Sequence, residues 1–154
     1  MNVEVKTLEP MCVAFMRHVG PYHEVGETWQ QFMAFVAPRA LFGPNAHCLG
    51  LCHDDPDVTP ADKIRYDACL TVPDSFEPEG DVGVQTIPAG RFASTLHEGP
   101  YDNLNQTYAA LLGQWFPAHG HEPAAASCLE FYLNSPEDTE PEDLLTEVCV
   151  RIQD

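Results

Sequence analysis

The sequence lacks the patterns that mark several common classes of protein. No apolar stretch approaches the ~20 residues that a helix needs to cross a bilayer, so neither a membrane span nor a membrane partner is expected. The N-terminus has no basic region followed by an apolar core, which argues against a secretory signal and favours a cytoplasmic location. A glycine-rich phosphate loop and a Gly-x-Ser-x-Gly elbow are also missing, and we expect no cofactor.

Basic residues are scarce. Lys and Arg number 7 against 24 Asp and Glu, which gives a net charge of −17. Such a surface repels phosphate backbones, so direct nucleic-acid binding is not expected. The charge suits a cationic ligand or a basic protein partner, although an acidic surface that serves only solubility is the simpler explanation.

The six cysteines do not predict a disulfide framework, because the chain lacks a secretory signal and is larger than a disulfide-stapled miniprotein. Reduced and mostly buried thiols are expected instead. Cys48 and Cys52 invite comparison with a zinc site because histidines flank them. On one strand they stand ~13 Å apart, too far to bind one ion directly. No metal is therefore expected.

The chain instead contains an internal repeat. Residues 3–8, VEVKTL, are echoed by residues 82–87, VGVQTI, and residues 18–22, HVGPY, are echoed by residues 97–101, HEGPY. The shift is 79 residues in both pairs (82 − 3 and 97 − 18), and after one inserted residue it continues as 80 (136 − 56). This period exceeds that of short solenoid repeats. It favours two copies of one unit, and pockets often form where such units meet.

Each copy predicts the same order of elements. An amphipathic helix is expected at about 22–37, ended by Pro38 and the Gly43-Pro44 pair, and another at 101–116. Alternating or β-branched segments predict the strands, which are 3–7, 11–18, 48–53 and 65–72 in the first copy, and 82–87, 91–97, 127–133 and 145–152 in the second.

The predicted fold class is α+β, because each copy has too few strands to protect its own edges. Two pseudo-symmetric strand-helix-strand-strand repeats are expected to form one antiparallel sheet of about eight strands, covered by two main helices. The whole chain, 1–154, is interpreted as a single domain, with repeat one at 1–76 and repeat two at 77–154.

Glu130 is the strongest candidate for a functional residue. It is the only charge in the segment CLEFYL at 128–133, and the period of two places it on one strand face with Cys128 and Tyr132. A carboxylate on a partly buried face is costly unless it is paired, and a cationic ligand is one such partner. The alternative is that this face is exposed to solvent. Its repeat mate is Gly50, so only one copy carries the acid.

Further residues accompany Glu130 as candidates. Asp67 and Glu147 are repeat mates that either join a negative cleft or lie in solvent or pair with Arg. Several aromatic residues are expected near the cleft, although core packing explains any single one. They are Tyr22, Trp29, Tyr66, Tyr101, Tyr108, Trp115 and Tyr132. His18 and His97 precede matching turns, where a structural role is simpler than catalysis.

Five segments together resemble the GyrI-like family, which includes DNA gyrase inhibitory proteins and the effector-binding domains of AraC-type and MerR-type regulators. They are VGPY at 19–22, GLCHDDP at 50–56, RYDAC at 65–69, EGPY at 98–101 and LEFYLN at 129–134. The resemblance implies tandem strand-helix-strand-strand modules with a ligand cleft between the copies. In drug-binding relatives a glutamate on a central strand meets cationic aromatic compounds, and Glu130 looks like that residue.

Three functions follow from this resemblance. The first is a stand-alone small-molecule-binding protein, with Glu130, Tyr132, Trp29, Tyr66, Tyr101 and Tyr108 contacting an amphipathic, cationic aromatic ligand in the cleft. The second is a DNA gyrase inhibitor that acts by protein–protein contact. The third is a hydrolase of cyclopropane-type toxins, in which Glu130 is the catalytic residue. The regulators carry a helix-turn-helix domain before this module, whereas this chain starts at the first strand, so transcription-factor function is not expected.

Overall fold

The computed structural model describes residues 1–41, 43 and 45–153. It confirms the predicted α+β class, with an eight-stranded antiparallel sheet and two main helices. Within the described residues, none of the helices combines the length and the apolar character required to traverse a bilayer.

The elements follow the predicted order twice. The first copy contains β1 (Val3–Leu8), β2 (Met11–Val19), α1 (Val25–Val36), β3 (Cys48–Cys52) and β4 (Arg65–Thr71). The second contains β5 (Gly83–Ile87), β6 (Gly90–Glu98), α2 (Leu104–Ala110), α3 (Phe116–Ala118), β7 (Cys128–Tyr132) and β8 (Leu145–Arg151).

The two main helices both begin after a Gly-Pro-Tyr turn. A 3-10 turn precedes α1 and another follows it at Ala37–Arg39, where Pro38 ends the regular helix as predicted. Pro44, the other predicted stop signal, lies outside the described residues. The second helix is not continuous, because a π-helical turn at Leu111–Trp115 separates α2 from α3. A π turn inserts one residue and rotates the following side chains around the helix axis.

The chain divides into two compact units, which we call unit 1 (1–9 with 89–154) and unit 2 (10–88). The strand order is β1-β6-β8-β7 in unit 1 and β3-β4-β2-β5 in unit 2, with antiparallel neighbours throughout each. The first strand of each repeat therefore pairs with the second strand of the other repeat. The assignment of one domain with repeats 1–76 and 77–154 stays a prediction.

Each unit buries one helix against its own strands. In unit 2, Phe32 and Val36 of α1 pack onto Ala14, Ala68 and Leu70 of the sheet. Burying each large apolar side chain contributes about 1.5–3 kcal/mol.

In unit 1 the equivalent core is formed by Leu111 and Phe116 against Ala93, Val148 and Val150. The helix-facing side of each four-stranded segment thus carries the apolar core of its unit.

Candidate functional site

Glu130 lies on the helix-facing side of unit 1. It sits in the middle of β7, opposite Val148 of β8, and Val148 belongs to the unit's apolar core. Its exposed fraction is 7 %. The period-two pattern therefore predicted the correct strand face, and the alternative of a solvent-exposed face is wrong.

Two phenol groups hold the carboxylate of Glu130, one at each oxygen. The Tyr108 hydroxyl, on α2, donates to Oε2 at 2.6 Å, and the Tyr132 hydroxyl, two residues along β7, donates to Oε1 at 2.8 Å. Hydrogen bonds from hydroxyl groups to an ionised acceptor are short and strong. They fix the position of the carboxylate and offset part of the free energy that its burial costs.

Tyr101 extends this group of aromatic side chains. Its ring meets that of Tyr132 edge to face, with centroids 5.6 Å apart. Burial, together with the negative charge of Glu130, raises the pKa of the Tyr101 hydroxyl above its ordinary value. Four of the six predicted ligand-binding residues are therefore brought together in unit 1, and we call them the acidic site: Tyr101, Tyr108, Glu130 and Tyr132.

The other two predicted residues, Trp29 and Tyr66, meet in unit 2. The Trp29 indole Nε1 donates to the Tyr66 hydroxyl at 2.9 Å, and Tyr66 is only 2 % exposed. Trp29 is the repeat mate of Tyr108 (108 − 79), so the same helix position reaches a phenol oxygen in unit 2 and a carboxylate in unit 1. Tyr22, the repeat mate of Tyr101, meets Tyr66 edge to face at 6.1 Å.

The two units place their sheet tyrosine on different strands. In unit 2, Tyr66 of β4 is paired in register with Cys52 of β3. In unit 1, Thr146 of β8 is paired with Tyr132 of β7, so the aromatic and the small residue have exchanged strands. Reasoning from the sequence missed Thr146, although its alignment with Tyr66 (146 − 80) was a signal that this position differs between the copies.

Asp67 lies on the sheet face that points away from α1. Its side chain is 0 % exposed and accepts hydrogen bonds from Arg17 Nε at 2.8 Å and Arg17 Nη2 at 3.0 Å. His53 Nε2 and Gln85 Nε2 lie 2.7 and 3.0 Å from its Oδ2. Burial opposes the charged form, but the bonds from His53, Arg17 and Gln85 outweigh it and lower the pKa of Asp67 below its ordinary value.

Glu147 occupies the equivalent position in unit 1. It accepts from Lys6 Nζ at 2.7 Å and from the Ser94 hydroxyl at 2.6 Å. Burial is again outweighed by these bonds, so the pKa of Glu147 is lowered. Neighbouring strand positions point to opposite faces, and Glu130 is paired with Val148. The prediction that Glu147 joins Glu130 is therefore wrong, whereas the predicted pairing with Arg is confirmed at Asp67.

His18 and His97 have matching roles in the two copies. His97 Nδ1 lies 2.7 Å from Thr107 Oγ1, and its Nε2 lies 3.0 Å from the Pro100 carbonyl oxygen. His18 makes the same pair of contacts at 3.2 Å each. A carbonyl only accepts, so Nε2 carries the proton in the neutral ring and Nδ1 accepts from the threonine. Each histidine fixes the start of its helix to the sheet, as predicted.

In the part of the chain that the structure describes, the thiols and histidines form no group of metal ligands. Across residues 1–41, 43 and 45–153, no three His, Cys, Asp or Glu side chains are grouped to hold an ion. All six cysteines lie in this part of the chain and are reduced; Cys69 and Cys149 are buried, while the other four are partly exposed. Burial, followed by the charge of Glu147, raises the pKa of Cys149 to about 12.

The match to a family model identifies the class of domain to which this chain belongs. Residues 1–153 match the family described as GyrI-like small molecule binding domain, and the chain belongs to that family. It is 30% identical over 138 residues to a protein of Erwinia billingiae (strain Eb661) named DNA gyrase inhibitor, covering 87% of each chain.

Two solved structures share the fold. The crystal structure of the EcmrR C-terminal domain has a TM-score of 0.80 at 24% identity, covering 99% of this chain and 97% of the other. A structure of SAV2435 bound to tetraphenylphosphonium has a TM-score of 0.69 at 17% identity, covering 99% and 94%. The tandem architecture implied by the sequence motifs is thus found in proteins of very different sequence.

Proposed function

We propose that the chain binds amphipathic, cationic aromatic compounds, with Glu130 as the counter-charge. The observation that carries this proposal is a carboxylate that is 7 % exposed and is held by two neutral phenol groups. A cation placed against it gains an attraction that is much stronger than at an exposed carboxylate, because little water screens the pair.

The aromatic residues of the acidic site supply the apolar and π-electron surface that such a ligand needs. Tyr108 and Tyr132 reach the carboxylate through their hydroxyl groups, and the ring of Tyr101 packs against that of Tyr132. Cations are attracted to the faces of such rings. SAV2435, a protein of the same fold, has a structure bound to tetraphenylphosphonium, which supports the choice of a hydrophobic cation as the probe.

Three finer predictions accompany this proposal. Contact of Trp29 and Tyr66 with the ligand stays a prediction, since these two side chains are hydrogen-bonded to each other in unit 2. A ligand cleft between the repeats and a cytoplasmic location also stay predictions.

Isothermal titration calorimetry with tetraphenylphosphonium tests the proposal. We expect Glu130→Gln to weaken binding at least about tenfold, which corresponds to ~1.4 kcal/mol. The amide still accepts one phenol hydrogen bond, so the fold is retained. The matched control is Glu147→Gln, which changes the net charge by the same amount in the same unit but lies on the opposite sheet face. It is expected to bind like wild type.

Equal affinities of wild type and Glu130→Gln would refute the role of this carboxylate. Equal weakening in both variants would show that the probe responds to overall negative charge rather than to the acidic site. Raising the ionic strength separates these explanations further, because a buried pair is screened less than a surface one.

Gyrase inhibition is a second candidate, favoured by the name of the Erwinia billingiae relative. The net charge of −17 suits contact with a basic DNA-binding surface. The test is supercoiling of relaxed plasmid by purified gyrase with this protein in excess. We expect slower supercoiling that recovers as salt is added, and unchanged supercoiling would remove this candidate.

A further inference from the structure

The side chain of Thr146 has an unusual environment on the helix-facing side of unit 1. It is 0 % exposed, and among the residues that the structure describes its hydroxyl oxygen has no hydrogen-bond partner. Leaving a buried hydroxyl unsatisfied costs free energy, and threonine has an apolar alternative of nearly the same shape in valine. An orphaned hydroxyl at such a position calls for an explanation.

Thr146 lies next to the acidic site. It is paired in register with Tyr132, while Glu130 is paired with Val148 two residues further along β8. Thr146 and Glu130 are therefore diagonal neighbours on one face, with Cα atoms about 7–8 Å apart. Their side chains point to the same side of the sheet.

The second unit shows what normally fills this position. Its repeat mate there is Tyr66, whose hydroxyl accepts from Trp29 and whose ring meets Tyr22. In unit 1 the equivalent helix residue, Tyr108, donates to Glu130 instead. In unit 2 the helix residue Trp29 thus satisfies the hydroxyl of Tyr66, whereas in unit 1 the matching residue Tyr108 is bonded to Glu130. This leaves the hydroxyl of Thr146 available to a ligand.

We propose that Thr146 Oγ1 is a further ligand-binding atom, which makes the site prefer protonated amines carrying N–H donors over fully substituted cations. The inference rests on the proposed function. A carboxylate and a hydroxyl both accept hydrogen bonds. An ammonium group that donates two hydrogen bonds, each with an N···O distance of ~2.9 Å, bridges two oxygens about 5 Å apart. A quaternary cation offers Glu130 the same charge but leaves the hydroxyl of Thr146 unsatisfied.

The test compares two probes of equal charge, protonated 4-phenylbenzylamine and its N,N,N-trimethyl derivative, by calorimetry. The measured quantity is the ratio of the quaternary Kd to the amine Kd, which cancels effects common to both. Losing one hydrogen bond from a charged donor corresponds to roughly a ten- to hundredfold change. We expect this ratio to fall by that factor in Thr146→Val.

The control is Thr95→Val, since Thr95 is buried on the same face of unit 1 and its hydroxyl already donates to the Asn2 carbonyl at 2.8 Å. We expect its ratio to match wild type and its urea midpoint to fall. The midpoint of Thr146→Val should be unchanged or higher, because an unsatisfied hydroxyl is removed.

An unchanged ratio in Thr146→Val, with both probes still bound, overturns this inference and leaves the proposed function standing. A fall in the Thr146→Val midpoint as large as that of Thr95→Val also overturns it, since the hydroxyl would then have a partner inside the protein. Failure of both probes to bind wild type would refute the proposed function and this inference together.

Discussion

Replacing Asp67 with Asn removes one charge from the polar network on the outer sheet face of unit 2. Both carboxylate oxygens are used as acceptors: Oδ1 from Arg17 Nε, and Oδ2 from Arg17 Nη2, His53 and Gln85. An asparagine carries an NH₂ group in place of one oxygen. At least one donor therefore faces another donor, and the guanidinium loses its counter-ion.

The expected cost is about 2–4 kcal/mol in the free energy of unfolding. Breaking a fully buried pair costs about 3–5 kcal/mol. The Arg17 side chain is 42% exposed, so solvent screens part of its charge and the expected cost extends below that of a fully buried pair. With a urea m-value of about 2 kcal/mol per molar, the unfolding midpoint should fall by about 1–2 M.

Urea denaturation followed by circular dichroism measures this shift, and Glu147→Gln is the matched control. Glu147 is the repeat mate of Asp67, but its partner Lys6 is a flexible side chain that is 37% exposed, so we expect a loss of about 1 kcal/mol. A loss of less than about 1 kcal/mol at Asp67, or equal losses at both positions, would refute the reasoning from burial.

The difference in stability between wild type and Asp67→Asn should depend on pH, and its sign follows from the pKa of Asp67. Hydrogen bonds lower the pKa of Asp67 in the folded state, so the folded chain holds the proton less tightly than the unfolded chain. Its stabilising contribution is complete above the ordinary aspartate pKa of ~3.9 and is lost as pH falls through the lower folded value. The midpoint difference between wild type and Asp67→Asn should therefore shrink as pH decreases from about 5 to about 2. A difference that is independent of pH would contradict this assignment.

Two further predictions concern the core and the thiols. Phe32→Ala should lower the free energy of unfolding by about 3–5 kcal/mol, because Phe32 is 0 % exposed. Val58 is 79 % exposed, so Val58→Ala should change that free energy by no more than about 0.5 kcal/mol. Equal effects of the two substitutions would contradict the packing of α1. Since the pKa of Cys149 is raised to about 12, this thiol should resist iodoacetamide at pH ~8 in the folded protein and react once urea is added. Peptide mapping by mass spectrometry measures both states, and rapid labelling of the folded protein at Cys149 would refute its burial.

Patterns in the sequence predicted those parts of the site that depend on local geometry. The period of two placed Glu130 and Tyr132 on one strand face, because side-chain direction along a strand is fixed by the backbone. Helical spacing predicted an amphipathic helix at 101–116, and Tyr108 within it packs against the apolar core of unit 1. Both predictions are confirmed, since neither requires knowledge of which strands are neighbours.

Other features depended on strand pairing, which the sequence does not reveal. Asp67 and Arg17 are 50 residues apart and meet only because β2 and β4 are neighbours in a particular register. The pairing of β1 with β6 and of β5 with β2, each with a strand of the other repeat, was likewise not predicted. The two-residue connections at 9–10 and 88–89 do not indicate with which strands the chain will pair. The interruption of the second helix by a π turn also has no sequence signature that we identified.

The repeat explains how a polar site arises in a fold that does not require one. In unit 2, Trp29 and Tyr66 satisfy each other and Gly50 leaves the strand face apolar. At the matching positions of unit 1, Tyr108 and Glu130 hold a buried charge instead. If this charge is a binding feature rather than a requirement of folding, replacing it should cost affinity while costing little stability. The measurement of unfolding and binding on the same Glu130→Gln sample decides this, because a structural carboxylate such as Asp67 would lose stability first.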